Sequence, residues 1–85
     1  EAIKNYQKVL ELNPKHTDAL NNLGIVFYEQ SNFFEAAENY QRAVDNEPSF
    51  ADAHYNLSRL FELLGKHDEA LEHLRTYRRL LEDER

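Results

Sequence analysis

Residues 17–50 read TDALNNLGIVFYEQSNFFEAAENYQRAVDNEPSF, and this stretch decides the fold. Leu20, Leu23 and Phe27 recur at steps of three and four, and so do Phe33, Ala36, Ala37 and Tyr40. That is the spacing of one helix face. Ser31-Asn32 separates the two runs, and Asn32 tolerates a positive φ better than most residues. Pro48 closes the stretch, because a proline disfavours helical geometry in the residue before it, here Glu47. The spacing predicts a pair of helices over 17–30 and 33–46.

The same text returns on both sides. Shifted by 34 residues, Asp18, Ala19, Asn22, Leu23 and Phe27 fall on Asp52, Ala53, Asn56, Leu57 and Phe61. Glu35, Ala36 and Glu38 fall on Glu69, Ala70 and Glu72. Backwards, Glu35, Ala36, Asn39, Tyr40, Gln41 and Pro48 fall on Glu1, Ala2, Asn5, Tyr6, Gln7 and Pro14. Average composition would give about one or two identities in a window of this length. A fixed period of this size marks a stacked repeat array. Five helices follow, over 1–12, 17–30, 33–46, 51–64 and 67–83, with Gly65-Lys66 standing where Ser31-Asn32 stood. Gly65 takes a positive φ without a Cβ clash.

Composition agrees. Two glycines and two prolines in 85 residues leave little for hairpin turns. A hydrophobic share of 41% is too high for a disordered acidic tail. The net charge of −6 repels phosphate, so nucleic acid is a poor partner and neutral or basic peptides are better ones. The absence of cysteine excludes disulfides and thiolate metal sites and leaves the compartment open. No apolar run is long enough for membrane insertion as a helix. The chain opens at Glu1 inside a helical pattern and reads as a piece of a longer protein.

The order Leu20-x-x-Leu23-Gly24-x-x-Phe27, then Ala36-x-x-x-Tyr40, then Pro48, resembles the tetratricopeptide repeat pattern. The resemblance covers the whole chain as one all-α domain: a half repeat over 1–16, a full repeat over 17–50 and another over 51–84. It implies antiparallel helix-turn-helix pairs stacked into an α-solenoid, a right-handed superhelix. Ala36 and Ala70 stand where two helices of one repeat cross, and Gly24 serves the same close approach. The third repeat departs from the pattern with Ser58 for glycine, Tyr77 for Ala43 and Glu82 for proline. Its last helix is expected to run on, with Arg75, Arg78, Arg79 and Glu82 on a polar back, and with Tyr77 either filling a void at the array's end or marking a change in the array's character.

The resemblance also implies the function, a protein-protein interaction scaffold whose first helices line a concave groove. The lining residues carried over are Asp18, Asn21, Asn22, Ile25, Tyr28 and Glu29, then Asp52, Tyr55, Asn56, Arg59, Glu62 and Leu63. Asn22 and Asn56 are expected to hold an extended peptide backbone, since a carboxamide both donates and accepts. Asp18, Glu29, Asp52 and Glu62 against Arg59 make the groove negative, so a neutral or basic segment fits and a clamp for acidic tails does not. The alternatives are a stacking or self-association segment and an accessory region of a larger enzyme. Self-association would use the N-terminal repeat face, where Ile3, Tyr6 and Leu10 form an open apolar stripe for a homo-oligomer.

Chemistry of other kinds finds no support. His67, Glu69 and His73 lack zinc-ligand spacing, and His67 and His73, six apart, lie on different helix faces. They read as a turn residue and a solvated helix pair. His54 stands at the register position of Leu20 and reads as a packing residue, and His16 belongs to an inter-repeat loop. Ser31, Ser49 and Ser58 have no histidine and carboxylate placed to activate them, and no glycine-rich phosphate loop exists. The chain reads as a non-enzyme with no cofactor and no metal.

Overall fold

The computed structural model describes residues 1–83. They form five helices: α1 Ala2–Leu12, α2 Thr17–Glu29, α3 Phe33–Asn46, α4 Ala51–Leu63 and α5 His67–Asp83. The most extensive packing joins α2 to α3 and α4 to α5, the two antiparallel pairs of the array. Weaker contacts join α1 to α2, α3 to α4 and α2 to α4, which is the pattern of a stack. No helix among the described residues is long and apolar enough to cross a membrane.

The breaks inside the pairs share one geometry. The Asn32 N–H donates to the Phe27 carbonyl at 2.8 Å, and the Lys66 N–H donates to the Phe61 carbonyl at 2.8 Å. This six-residue closure ends both α2 and α4 as a Schellman turn. The left-handed residue it needs is Ser31, φ 63°, in one pair and Gly65, φ 78°, in the other. The expectation for Asn32 is therefore corrected. It has φ −87° and is the N-cap of α3, because the closure puts the left-handed residue one position earlier.

The inter-pair loops carry Pro14 and Pro48. The His16 N–H donates to the Asn13 carbonyl at 3.1 Å, and the Phe50 N–H donates to the Glu47 carbonyl at 2.9 Å. His16 Nδ1 accepts from the Ala19 N–H at 3.1 Å and so caps α2. The Thr17 hydroxyl donates to Glu47 at 3.1 Å, tying the first loop to the second.

The core is one cluster built from Leu20, Ala36, Tyr40, Ala43, Val44, Ala53, Leu57 and Leu60. Ala36 and Ala70 are both buried, as the crossings require. Gly24 makes room for a ring, since a Cβ there would lie 2.6 Å from two carbons of Tyr40. The third repeat changes both partners, with Ser58 for Gly24 and Leu74 for Tyr40. A smaller side chain across the crossing leaves space for a hydroxymethyl group. The Ser58 hydroxyl donates back to the Tyr55 carbonyl at 2.8 Å.

Two expectations about the ends are corrected or filled in. Ile3, Tyr6 and Leu10 are half-buried rather than open, and Leu10 packs against the core cluster. α1 is in register with α3, so its apolar face meets α2. At the other end Tyr77 packs against Tyr55, with ring centroids 5.0 Å apart. Arg75, Arg78, Arg79 and Glu82 are exposed along the back of α5.

Candidate functional site: a groove over α4 and α5

Two concavities lie side by side across α2, α4 and α5. The larger holds about 790 Å³. Ala70 and Leu74 of α5 and Ser58 of α4 are the more buried part of its lining, and Tyr28, Tyr55, Arg59, Glu62, Leu63, His67 and Leu71 complete it. The smaller holds about 230 Å³ and is framed by Ile25, Tyr28, Glu29, Tyr40, Asn56 and Arg59. Tyr28 and Arg59 belong to both and form the ridge between them.

Arg59 stands between two aromatic rings. Its guanidinium carbon is 5.9 Å from the Tyr28 centroid and 5.8 Å from that of Tyr55, within cation–π range. Tyr28 itself meets Phe33 edge-on at 5.7 Å. Tyr40 passes Gly24 to reach the smaller concavity, and its phenol is pushed up to about 12, chiefly by burial and then by Tyr28. It is a neutral hydroxyl at any physiological pH. On the far rim His67 Nδ1 and Glu62 lie 2.9 Å apart. The hydrogen bond that the ring donates to Glu62, then the charge of that carboxylate, raises the His67 pKa above the ordinary imidazole value.

Of the twelve residues carried over from the resemblance, the structure brings eight to these concavities: Ile25, Tyr28, Glu29, Tyr55, Asn56, Arg59, Glu62 and Leu63. Four do not line them. Asp18 and Asp52 are exposed in the first turns of α2 and α4, where a carboxylate complements the helix N-terminus. Asn21 is buried, and its Oδ1 accepts from Asn56 Nδ2 at 2.9 Å, bridging α2 to α4. Asn22 is half-buried. Asn56 reaches back along the array to α2, and this bond engages one of its amide hydrogens.

The electrostatics shift accordingly. Glu29 and Glu62 are the carboxylates that border the concavities, with the Arg59 guanidinium in both linings and His67 hydrogen-bonded to Glu62. Asp18 and Asp52 add their charge at the helix starts, outside the two concavities.

Sequence reasoning missed the α5 residues. Leu71 is 46% exposed and Leu63 is 55% exposed, both large aliphatics beside the same hollow. The signal was the register itself. Leu71 and Leu74 stand where Ala37 and Tyr40 stand in the middle repeat, on the side of the pair that α4 covers there.

The histidines separate into unrelated roles. His67 meets Glu62 on the rim, while His73 meets His54 between α4 and α5, so His67, Glu69 and His73 form no common site. His54 is buried, in keeping with a packing position.

The tetratricopeptide repeat model matches residues 25–84, and a TPR repeat model matches residues 1–31. The chain belongs to the tetratricopeptide repeat family, a class of helical interaction scaffolds. Among solved structures it is similar to MamA: 26% identity, a TM-score of 0.91, and coverage of 96% of this chain and 48% of that one. A MamA MSR-1 structure gives 28% identity and a TM-score of 0.85, covering 94% of this chain and 46% of that one. The chain spans about half the length of these structures. No curated protein matches it in sequence.

Proposed function

We propose that this chain is a protein-interaction module that takes an extended, neutral or basic segment of a partner protein along the groove over Arg59. One aliphatic or aromatic side chain of the segment enters the larger hollow over Leu71 and Leu74. The observation that carries this reading is the hollow itself, apolar in its depth and rimmed by hydrogen-bonding groups on Tyr28, Tyr55, Arg59 and Glu62. Binding sites for ligands have this build, with apolar walls and a few polar groups that fix orientation. The net charge of −6 favours a basic segment over an acidic one. Few contacts and the ordering cost of a flexible ligand put the affinity in the micromolar range. Catalysis forms no part of this reading.

A peptide-array screen followed by titration tests it. Hits should be neutral or basic with one large apolar residue. Leu71→Glu should weaken them at least about tenfold, the loss of roughly 1.4 kcal/mol. Asn22→Ala should leave them unchanged, and Asn56→Ala should weaken them modestly. Strongly acidic hits, or hits indifferent to Leu71→Glu, would reject the reading.

A second reading is favoured by one observation. The open face of α4 and α5 is the register copy of the α2 and α3 face that α4 covers. A helical segment could lie on it as α4 lies on its neighbours, which is helix-in-groove recognition or stacking of a further copy. Sedimentation against concentration separates the two. Self-stacking gives association that Leu71→Glu abolishes without any peptide present.

A further inference from the structure

We propose that His54 and His73 form an acid-release latch that holds α5 on α4 when the pair carries no more than one positive charge. His54 Nδ1 and His73 Nδ1 are 3.1 Å apart, and His54 Nε2 is 2.8 Å from the Pro48 carbonyl oxygen. The rings lie with centroids 5.3 Å apart, and Phe61 stacks on His73 at 5.7 Å. His54 is 8% exposed.

The proton positions follow from the partners. A carbonyl oxygen only accepts, so His54 Nε2 carries hydrogen and donates to Pro48. In the neutral ring His54 Nδ1 is then a bare acceptor, and His73 Nδ1–H donates to it. With one added proton both Nε2 atoms carry hydrogen and a single hydrogen still lies between the two Nδ1 atoms, so the bond between the rings is kept. A second proton puts N–H on both facing nitrogens. No acceptor remains between them, and two cations face each other at hydrogen-bond distance.

The surroundings do not relieve this state. Glu72, on α5 itself, is the charged neighbour that favours the proton on His73. The other elements packed on the pair contribute His54 and Phe61 from α4 and the Pro48 carbonyl from the loop before it. No carboxylate hydrogen-bonds either ring among the described residues. Burial, then the proximity of His54, lowers the His73 pKa below its ordinary value. A depressed imidazole contributes stability that is full above the unfolded value of about 6.5 and is lost as pH falls below it. Because Ala70, Leu71 and Leu74 belong to α5, release of α5 also dismantles the larger hollow.

The middle repeat supplies the control. It carries Leu20 and Asn39 at these two positions, so His54→Leu with His73→Asn rebuilds a combination the fold already holds. Both proteins are compared in a His67→Gln background, which removes the exposed imidazole of opposite sign. His16 is common to both and cancels. Between about pH 7.5 and about pH 5, the protein with the pair should lose about 4–8 °C more in melting midpoint than the double variant. Its near-ultraviolet tyrosine dichroism should fall in parallel, because Tyr55 and Tyr77 pack across α4 and α5. Nitrogen NMR on the unaltered chain at neutral pH should find the His54 hydrogen on Nε2 and the His73 hydrogen on Nδ1. Parallel pH profiles for the two proteins would overturn the proposal. So would a His54 hydrogen on Nδ1 in the neutral pair, a result that stands even if the double variant fails to fold.

Discussion

The middle repeat and the third repeat are built on one pattern and end up as different objects. In the middle repeat, α3 buries Ala36, Asn39, Tyr40, Ala43 and Val44, because α2 covers one side and α4 the other. In the third, α5 buries Ala70 alone. The same helix position is core in one copy and groove in the next, and the neighbour makes the difference. The polar positions diverge in the same way. Asn39 donates to the Glu35 carbonyl at 2.9 Å and leaves a buried Oδ1 without a partner, while its register mate His73 finds His54.

The comparison breaks first at the shared core. Leu57→Ala removes a fully buried side chain and should cost about 2–5 kcal/mol in urea unfolding, whereas Leu71→Ala at the open face should cost less than about 0.5 kcal/mol. Equal costs would mean that α5 is covered after all. Next come the two alanines of the crossings. Ala36→Leu overpacks a closed contact and should cost about 1–3 kcal/mol, while Ala70→Leu can turn its added methyl groups toward the hollow and should cost distinctly less. Thermal melts of the pair measure this difference directly.

The turns sharpen the comparison from the other side. Ser31 holds a left-handed conformation that Gly65 adopts freely. Ser31→Gly should stabilise and Gly65→Ser should destabilise, each by about 1 kcal/mol, with opposite shifts of the denaturation midpoint. The smallest effect belongs to His67. Its pKa is raised, so its pairing with Glu62 contributes fully below about pH 6.5 and is lost as pH rises through the folded value. Both groups are exposed, so His67→Gln should barely move the melting point, and only on the acid side.

Much of this was legible from the residues. Pro14 and Pro48, the apolar spacing and the identities at 34 residues placed all five helices within a residue or two of their ends. The groove was legible in part. Tyr28, Tyr55 and Arg59 were foreseen among its lining, but the bond that ties Asn56 to Asn21 was not. The left-handed residue was read at Asn32, on its side-chain preference, and fell at Ser31, on the geometry of the closing hydrogen bond.

Periodicity, breaks and pairing are properties of short stretches, and steric rules acting within a turn or two of the chain settle them. The sequence alone was therefore enough for the helices, their pairing and the family. Which faces are covered depends on helices distant in sequence. That is why only the packed structure decided that α5 offers a hollow and that Asn56 is tied to Asn21. It also decided that two histidines nineteen residues apart meet at one hydrogen bond. The burial and lost hydration that give those groups their properties arise only when α4 and α5 close on one another.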